Sequence, residues 1–204
     1  MEARLAAITL EGDQKARTAS YRAVLDACLA PPHGDVEGLK AIVVHMLSDD
    51  VPLVISRQIL QVLCQEVARL PGDQHAIVAG FALDRLSPRT LSFEEQVSVL
   101  REGLAALYQG GEEWSRAAKV LAGIDLDSGI RVLTDEYKLQ KCVQIAMLYL
   151  EDDDAVNAET FIKKASFLLA ACKVRGLAPS HRSSTLRLPP RNPLGPPCFT
   201  PLPM

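Results

Sequence analysis

The sequence has no run of apolar residues long enough to cross a membrane or to direct export. No window approaches the ~18 consecutive apolar residues that a transmembrane helix requires. The first ten residues, MEARLAAITL, carry Glu2 and Arg4 and lack the roughly 7 to 15 apolar residues of a secretory signal. We therefore expect neither membrane insertion nor export.

Cysteines at metal-binding or redox spacing are also missing. The five cysteines are odd in number and widely separated: Cys28, Cys64, Cys142, Cys172 and Cys198. None forms the C-x-x-C pair that zinc sites and redox sites commonly use. This usage favours a protein of a reduced, intracellular compartment.

Recognisable catalytic and cofactor-binding motifs are absent as well. The four histidines are His33, His45, His75 and His181, and no two of them are spaced i, i+4. The sequence contains neither H-E-x-x-H nor G-x-S-x-G, and Gly110-Gly111 lacks the G-K-[ST] of a phosphate loop. We interpret the histidines as isolated surface residues and the glycine pair as a turn between helices, beside which Trp114 packs. The sequence thus predicts no catalytic residue, no metal site and no cofactor, so the protein is not expected to be an enzyme.

Acidic charge predominates over most of the chain, although the formal net charge is only −3. Residues 173–204 contain five basic residues and no acidic residue: Lys173, Arg175, Arg182, Arg187 and Arg191. The remainder holds 17 of the 22 basic residues and all 25 acidic residues, a formal charge of −8. An acidic body repels a phosphate backbone, so we expect no nucleic-acid partner.

The apolar residues from Asp13 onward recur at intervals of three and four, which is the spacing of one helix face, and strand-like alternation is scarce. Proline, glycine and aspartate pairs interrupt this pattern at regular intervals. The sequence therefore predicts an all-α fold of antiparallel helices at about 14–30, 35–48, 52–70, 73–87, 92–109, 112–123, 135–151 and 155–171.

Several predicted helix starts carry a capping signal. Ser92 and Glu95 fit the S-x-x-E capping box, in which the Ser92 side chain accepts a hydrogen bond from a first-turn N–H and the Glu95 side chain accepts one from the N–H of the cap residue. Pro52 is placed at a first helical position, where no N–H is left unpaired. Thr134, followed by two acidic residues, combines an N-cap with negative charge at the positive end of the helix dipole.

The run of four carboxylates at 151–154 separates the last two predicted helices. A calcium loop beginning at Asp152 requires an oxygen ligand at its fifth position and Glu at its twelfth, but Val156 and Lys163 stand there. We therefore interpret the run as a turn in which Asp154 caps the last helix. An acidic corner that faces a partner is the alternative.

An internal repeat with an offset of 41 residues accompanies the helix pattern. The matched segments are GLAALY (103–108) with QIAMLY (144–149), Ala117 with Ala158, and Leu121 with Ile162. Small alanines at matched positions let two helices approach closely, as in tetratricopeptide-like hairpins. The repeat predicts a right-handed stack of antiparallel helical hairpins, with a chance alignment of helical residues as the alternative.

The end of the sequence has a different composition. Eight of the thirteen prolines lie from Pro179 onward. We expect residues 1–172 to form the helical-repeat domain and residues 173–204 to form a disordered tail rich in proline and arginine. RLPPRNP (187–193) matches a basic-x-x-P-x-x-P ligand of SH3 domains, but accidental matches are common in so proline-rich a segment.

Four blocks in this order and spacing resemble the amino-terminal part of the family of subunit four of the COP signalosome, over about residues 15–170. The blocks are VPLVISRQIL (51–60), SFEEQV (92–97), EEWSRAAKVLAGI (112–124) and LYLEDDDAVNAETFIKKAS (148–166). The resemblance implies a curved array of helical repeats, to which the family adds further repeats, a PCI winged-helix module and terminal helices.

The resemblance also implies a function. In this family the complex removes the ubiquitin-like modifier Nedd8 from cullins, using a zinc site in a different subunit, and subunit four resembles a noncatalytic scaffold that contacts the cullin–RING ligase. It implies the other signalosome subunits and the ligase as partners, in the nucleus and cytoplasm. The alternatives are a proteasome-lid-type scaffold subunit and a free helical-repeat peptide-binding adaptor.

This chain departs from the family pattern near Ala170, where the similarity stops and the proline-rich segment follows. Nothing in the sequence corresponds to the PCI module or to the terminal helices. We therefore expect a truncated form, whose assembly into the complex is in doubt.

Overall fold

The computed structural model describes residues 1–30, 34–127 and 132–174, and every regular element in these ranges is a helix. The α-helices are α1 (Glu2–Thr9), α2 (Gln14–Leu29), α3 (Val36–Met46), α4 (Leu53–Val67), α5 (Gly72–Leu86), α6 (Glu94–Gly110), α7 (Trp114–Ala122), α8 (Asp135–Glu151) and α9 (Ala155–Val174). A 3₁₀ segment, Ser87–Ser92, connects α5 to α6. The all-α prediction is confirmed, and helices α2 to α9 correspond to the eight predicted from the sequence.

Helix α9 continues to Val174, past the predicted end of the helical domain at residue 172. The predicted tail from residue 175 onward lies outside the described residues, as does His181. The right-handedness of the stack stays a prediction.

Helix α1 was not predicted. It places only Leu5 and Ile8 in the core, where they pack against α2 and α3. Two inward-facing residues are too few to produce a recognisable helical period. Burial of two such side chains contributes about 1.5–3 kcal/mol each, which is enough to hold a short helix that is unstable on its own.

The helices form one stack in which each packs against the next in sequence. From α1 to α6 each helix also packs against the next but one, so that α2 contacts α4 and α3 contacts α5. A core cluster runs through this part, and its fully buried residues include Leu25, Leu39, Ile55, Leu60 and Leu63. A second cluster is formed by residues of α6, α7, α8 and α9 around Ala117 and Ala158.

Side-chain caps begin helices α2, α3 and α8, and a fourth, at α9, is described below. Asp13 accepts hydrogen bonds from two amides of the first turn of α2, and Asp35 accepts one from Gly38 in α3. Thr134 accepts from the Tyr137 amide at 3.2 Å, which confirms the predicted cap of α8. Each cap satisfies a donor that the helix itself leaves unpaired.

The capping box predicted at Ser92 is wrong. The residue ends the 3₁₀ segment, and α6 begins after Phe93 with no side-chain cap. Burial of the Phe93 ring, which is 1% exposed, fixes the entry into the helix. Ser92 contributes its carbonyl instead, which accepts from Arg57 Nε at 2.7 Å.

The position predicted for Pro52 is also wrong by one residue. It is the N-cap of α4 and not its first helical residue. Its carbonyl accepts from the Ser56 amide at 3.1 Å.

The 41-residue repeat describes two successive hairpins. Shifting α6 (Glu94–Gly110) by 41 positions gives the bounds of α8 (Asp135–Glu151), and the first residues of α7 and α9 correspond in the same way. Ala117 and Ala158 are both 0% exposed. Tyr108 and Tyr149 both pack into the second cluster, as does the half-buried Trp114. Apart from Leu121 and Ile162, the two residues of each matched pair have similar burial.

Candidate interaction surface

The acidic run at 151–154 forms the turn between α8 and α9. Asp154 accepts from the Asn157 amide at 3.1 Å and from Asn157 Nδ2 at 2.6 Å. The side-chain hydrogen bond from Asn157 holds the pKa of Asp154 below its ordinary value. The turn-and-cap interpretation of this run is therefore confirmed.

The histidines do not lie where the sequence suggested. His75 is buried, with its ring beside Gly103 on α6. His45 is half-buried, and its Nε2 lies 2.9 Å from Tyr21 Oη and 3.2 Å from Thr9 Oγ1. The prediction of isolated surface residues is wrong for both, because each ring faces a neighbouring helix that the sequence does not reveal. His33 and His181 lie outside the described residues.

The described cysteines have buried thiols. Cys28, Cys64 and Cys142 are free, and burial raises the pKa of each. The pKa of Cys64 reaches about 12. A thiol of such high pKa is protonated at neutral pH, and only a thiolate acts as nucleophile or metal ligand.

Within residues 1–30, 34–127 and 132–174, no three His, Cys, Asp or Glu side chains come close enough to hold a metal ion. Among the helices of the same ranges, none is long and apolar enough to cross a membrane.

A groove of ≈ 680 Å³ lies where the end of α7 meets α8 and α9. Its apolar lining includes Ile124, Leu126 and Phe161. Lys138 in its wall pairs with Asp127 at 3.4 Å, and Lys164 Nζ lies 5.1 Å from the centre of the Phe161 ring. The groove therefore has an apolar wall, and its Lys138 and Lys164 each already interact with a neighbouring side chain.

Polar contacts join α6 to α8 across the repeat boundary. Tyr137 Oη donates to Glu102 Oε1 at 2.6 Å, and Lys141 Nζ lies 2.9 Å from the same oxygen. The Lys141 side chain is only 12% exposed, so this ion pair is less screened than a surface pair. The contacts show that the Glu102 side chain lies on the face of α6 that is directed toward the following hairpin.

Exposed apolar side chains concentrate at the last hairpin. Seven of the fifteen large hydrophobic residues that are exposed in the described part of the chain lie on α8 and α9. Five of these are Val143, Met147 and Leu150 on α8, and Ile162 and Leu169 on α9. The i, i+4, i+7 spacing of the three on α8 was visible in the sequence, but burial alone shows that they face outward.

Stacked helical hairpins with an exposed apolar end are typical of helical-repeat proteins. The family model described as PSMD12/CSN4, N-terminal, matches residues 2–173. The chain belongs to this family.

Curated relatives agree with the family model. The chain is 52% identical over 159 residues to COP9 signalosome complex subunit 4 of Arabidopsis thaliana, covering 78% of this chain and 40% of that protein. It is 40% identical over 164 residues to the Drosophila melanogaster subunit 4, covering 80% and 40%. For Dictyostelium discoideum the identity is 38% over 176 residues, covering 86% and 44%. The chain thus spans less than half the length of these relatives.

Proposed function

We propose that this chain acts as a noncatalytic scaffold arm of the COP9 signalosome. The 52% identity to a COP9 signalosome complex subunit 4 over 159 residues carries the proposal. The family model matches residues 2–173, which include both repeat hairpins and the turns between them. A proteasome-lid-type subunit and a free peptide-binding adaptor are disfavoured, because the three relatives named above are signalosome subunits.

The proposed partners are the other signalosome subunits and the cullin–RING ligase, in the nucleus and the cytoplasm. The arm positions the ligase while another subunit removes Nedd8 from the cullin. Rigid packed helices suit this role, because a stack of hairpins offers a long surface whose parts hold fixed distances from one another.

Binding of the full chain to purified, Nedd8-modified cullin–RING ligase tests the proposal. We expect the chain to bind the ligase and to leave the amount of Nedd8-modified cullin unchanged. Release of Nedd8 by the chain alone would show that it is catalytic. Failure to bind either the ligase or purified signalosome subunits would overturn the scaffold role.

The acidic corner offers a matched pair of variants for the same assay. Asp152→Asn removes an exposed carboxylate at the turn, whereas Asp84→Asn removes an exposed one on α5. Weaker ligase binding by the first variant alone would place the ligase contact at the turn. Equal binding by both would exclude the acidic corner from the contact.

A further inference from the structure

The 3₁₀ segment Ser87–Ser92 begins with a serine that precedes a proline. Ser87-Pro88 is one of two Ser/Thr-Pro pairs in the sequence, and Thr200-Pro201 is the other. Proline has no backbone N–H, and proline-directed kinases select their substrates by a proline at the position after the acceptor hydroxyl. Ser87 therefore has the minimal sequence signal for phosphorylation by a kinase of this class.

The Ser87 hydroxyl is free to react. Ser87, Pro88 and Arg89 are all exposed. Thr90 Oγ1 donates to the Ser87 carbonyl at 2.9 Å, which leaves the Ser87 side chain unused. Within the described part of the chain, Ser87 Oγ makes no hydrogen bond.

The segment can open without uncovering the core. A kinase binds the residues around its acceptor in an extended form, and none of the residues 87–92 is buried. Arg89 already departs from helical geometry, with φ of −120° and ψ of 26°. The hydrogen bond from Arg57 Nε that holds the Ser92 carbonyl is exposed to solvent. A segment with so little buried surface opens at a low cost in free energy.

We propose that Ser87 is a phosphorylation site for a proline-directed serine/threonine kinase. The bond between the γ-phosphorus of ATP and the oxygen that joins it to ADP breaks, and a bond forms from that phosphorus to Ser87 Oγ. The hydroxyl proton passes to a base of the kinase. The products are ADP and a phosphoserine that carries about −1.5 to −2 charges at pH 7.

The phosphate would loosen the end of α5. Ser87 is the C-cap of this helix, and its amide donates to the Leu83 carbonyl. Negative charge is unfavourable there, at the negative end of the helix dipole. Asp84 is exposed three positions earlier, which places its carboxylate on the same side of the helix. Phosphorylation therefore adds charge where negative groups already lie.

The neighbouring arginines do not cancel this repulsion. Arg85 and Arg89 are each two positions from Ser87, a separation that places side chains on different sides of a helix. The Arg85 guanidinium lies 5.1 Å from the centre of the Phe81 ring. Arg89 donates to Asp49 at 2.7 Å. Repulsion therefore prevails, and phosphorylation weakens the last turn of α5, a helix that packs against α3 and α6.

Kinase assays on the full chain test the site. The probes are a purified mitogen-activated protein kinase and a purified cyclin-dependent kinase, each with Mg-ATP, and mass spectrometry locates the phosphate. We expect modification of Ser87 in the wild type and in Thr200→Ala, which removes the other Ser/Thr-Pro pair. Pro88→Ala should lose it. The peptide DRLSPRTLS (84–92) should react at a rate comparable with that of the folded chain, because opening the segment costs little.

Thermal melts of the phosphorylated and unphosphorylated chain test the loosening of α5. We expect phosphorylation to lower the melting temperature by about 1–4 °C. Asp84→Asn should make this fall smaller, because it removes the carboxylate beside the phosphate. Asp73→Asn, in the first turn of the same helix, is the matched control and should leave the fall unchanged.

Three outcomes would overturn the proposal. Failure of both kinases to modify Ser87 in the folded chain would exclude the site, whether or not the peptide reacts. A rise in melting temperature would show that the arginines bind the phosphate, and an equal fall in Asp84→Asn would place the repulsion elsewhere. These measurements use neither signalosome subunits nor ligase, so their failure is distinct from failure of the scaffold role.

Discussion

Glu112 and Asp153 lie 41 residues apart and adopt the same left-handed backbone conformation, with φ of 58° and 57°. Each follows the end of the first helix of its hairpin. The amide of the next residue donates to the carbonyl of Tyr108 at 2.9 Å in one turn and to that of Tyr149 at 2.8 Å in the other. Two turns of different sequence thus have the same hydrogen-bond pattern. The left-handed position of this pattern, held by Glu112 in one turn and Asp153 in the other, favours glycine.

Replacement of these residues by glycine should stabilise the fold. Glu112→Gly should raise the free energy of unfolding by about 1 kcal/mol or less, because relief of the left-handed strain exceeds the added flexibility of the unfolded chain. Asp153→Gly should have a smaller effect, since aspartate tolerates this conformation better. Urea denaturation measures both.

Glu95→Gly serves as the control for the turn variants. It introduces the same residue at an exposed position in the first turn of α6, where glycine costs about 1 kcal/mol. If the turn variants lose as much stability as this control, the proposed relief of strain is wrong.

The alanine contacts predict a second effect. Ala117→Leu and Ala158→Leu should each lower the free energy of unfolding by about 1–3 kcal/mol, because both alanines are fully buried between helices and leave no room for a larger side chain. Ala106→Leu, at an exposed position of α6, is the matched control. Melting temperatures equal to the wild type in both buried variants would contradict the close contact.

Gly123 and Arg101 form a third pair that can be tested. Arg101 Nη1 donates to the Val120 carbonyl at 3.1 Å, near the end of α7. A Cβ at Gly123 would overlap the guanidinium, so Gly123→Ala should displace it and cost about 1 kcal/mol, the worth of one hydrogen bond.

A double-mutant cycle identifies the cause of that loss. In an Arg101→Met background the flexible methionine can move aside, and the cost of Gly123→Ala should decrease toward zero. An unchanged cost in this background would show that the strain lies in the backbone and not in the guanidinium contact.

The His45 cluster predicts a dependence on pH. Burial lowers the pKa of His45 below its ordinary value of 6.5, while Asp50 opposes the shift. The unfolded chain then binds a proton at higher pH than the folded one. The stability that the neutral ring contributes is therefore complete above about pH 6.5 and is lost as the pH falls from there through the folded pKa.

His45→Gln keeps a polar group near Tyr21 and removes the titration. Between about pH 7.5 and pH 5.5 its melting temperature should fall less than that of the wild-type protein. His75 is buried with a lowered pKa in both proteins, so its contribution cancels in the comparison. Parallel curves would show that His45 has the same pKa in the folded and unfolded states.

The buried thiols predict slow alkylation. With a pKa of about 12, Cys64 should react with iodoacetamide at pH 8 far more slowly in the folded protein than in urea, because the thiolate is scarce and covered. Mass spectrometry of the tryptic peptides separates this site from the other cysteines. Equal rates with and without urea would show that the Cys64 side chain is accessible.

The helix positions could be predicted because their signals are local. Apolar spacing and helix-breaking residues indicate α2 to α9 in the sequence. The side chain of Thr134 and the two acidic residues after it indicate the cap of α8. Ser92 has an equally good local capping signal, yet its side chain caps no helix. The burial of Phe93, a tertiary contact, decides where α6 begins. Helix α1 was missed for the same reason, since contacts with α2 and α3 stabilise it.

The sequence by itself determined the all-α class, the helix order, the 41-residue repeat and the family, because each depends on residue types at fixed separations along the chain. Only the tertiary structure decided which apolar faces are covered. Leu121 and Ile162 occupy equivalent positions and look alike in the sequence, yet one is buried and the other exposed. Spacing places residues on one side of a helix, whereas burial depends on whether another helix packs against that side.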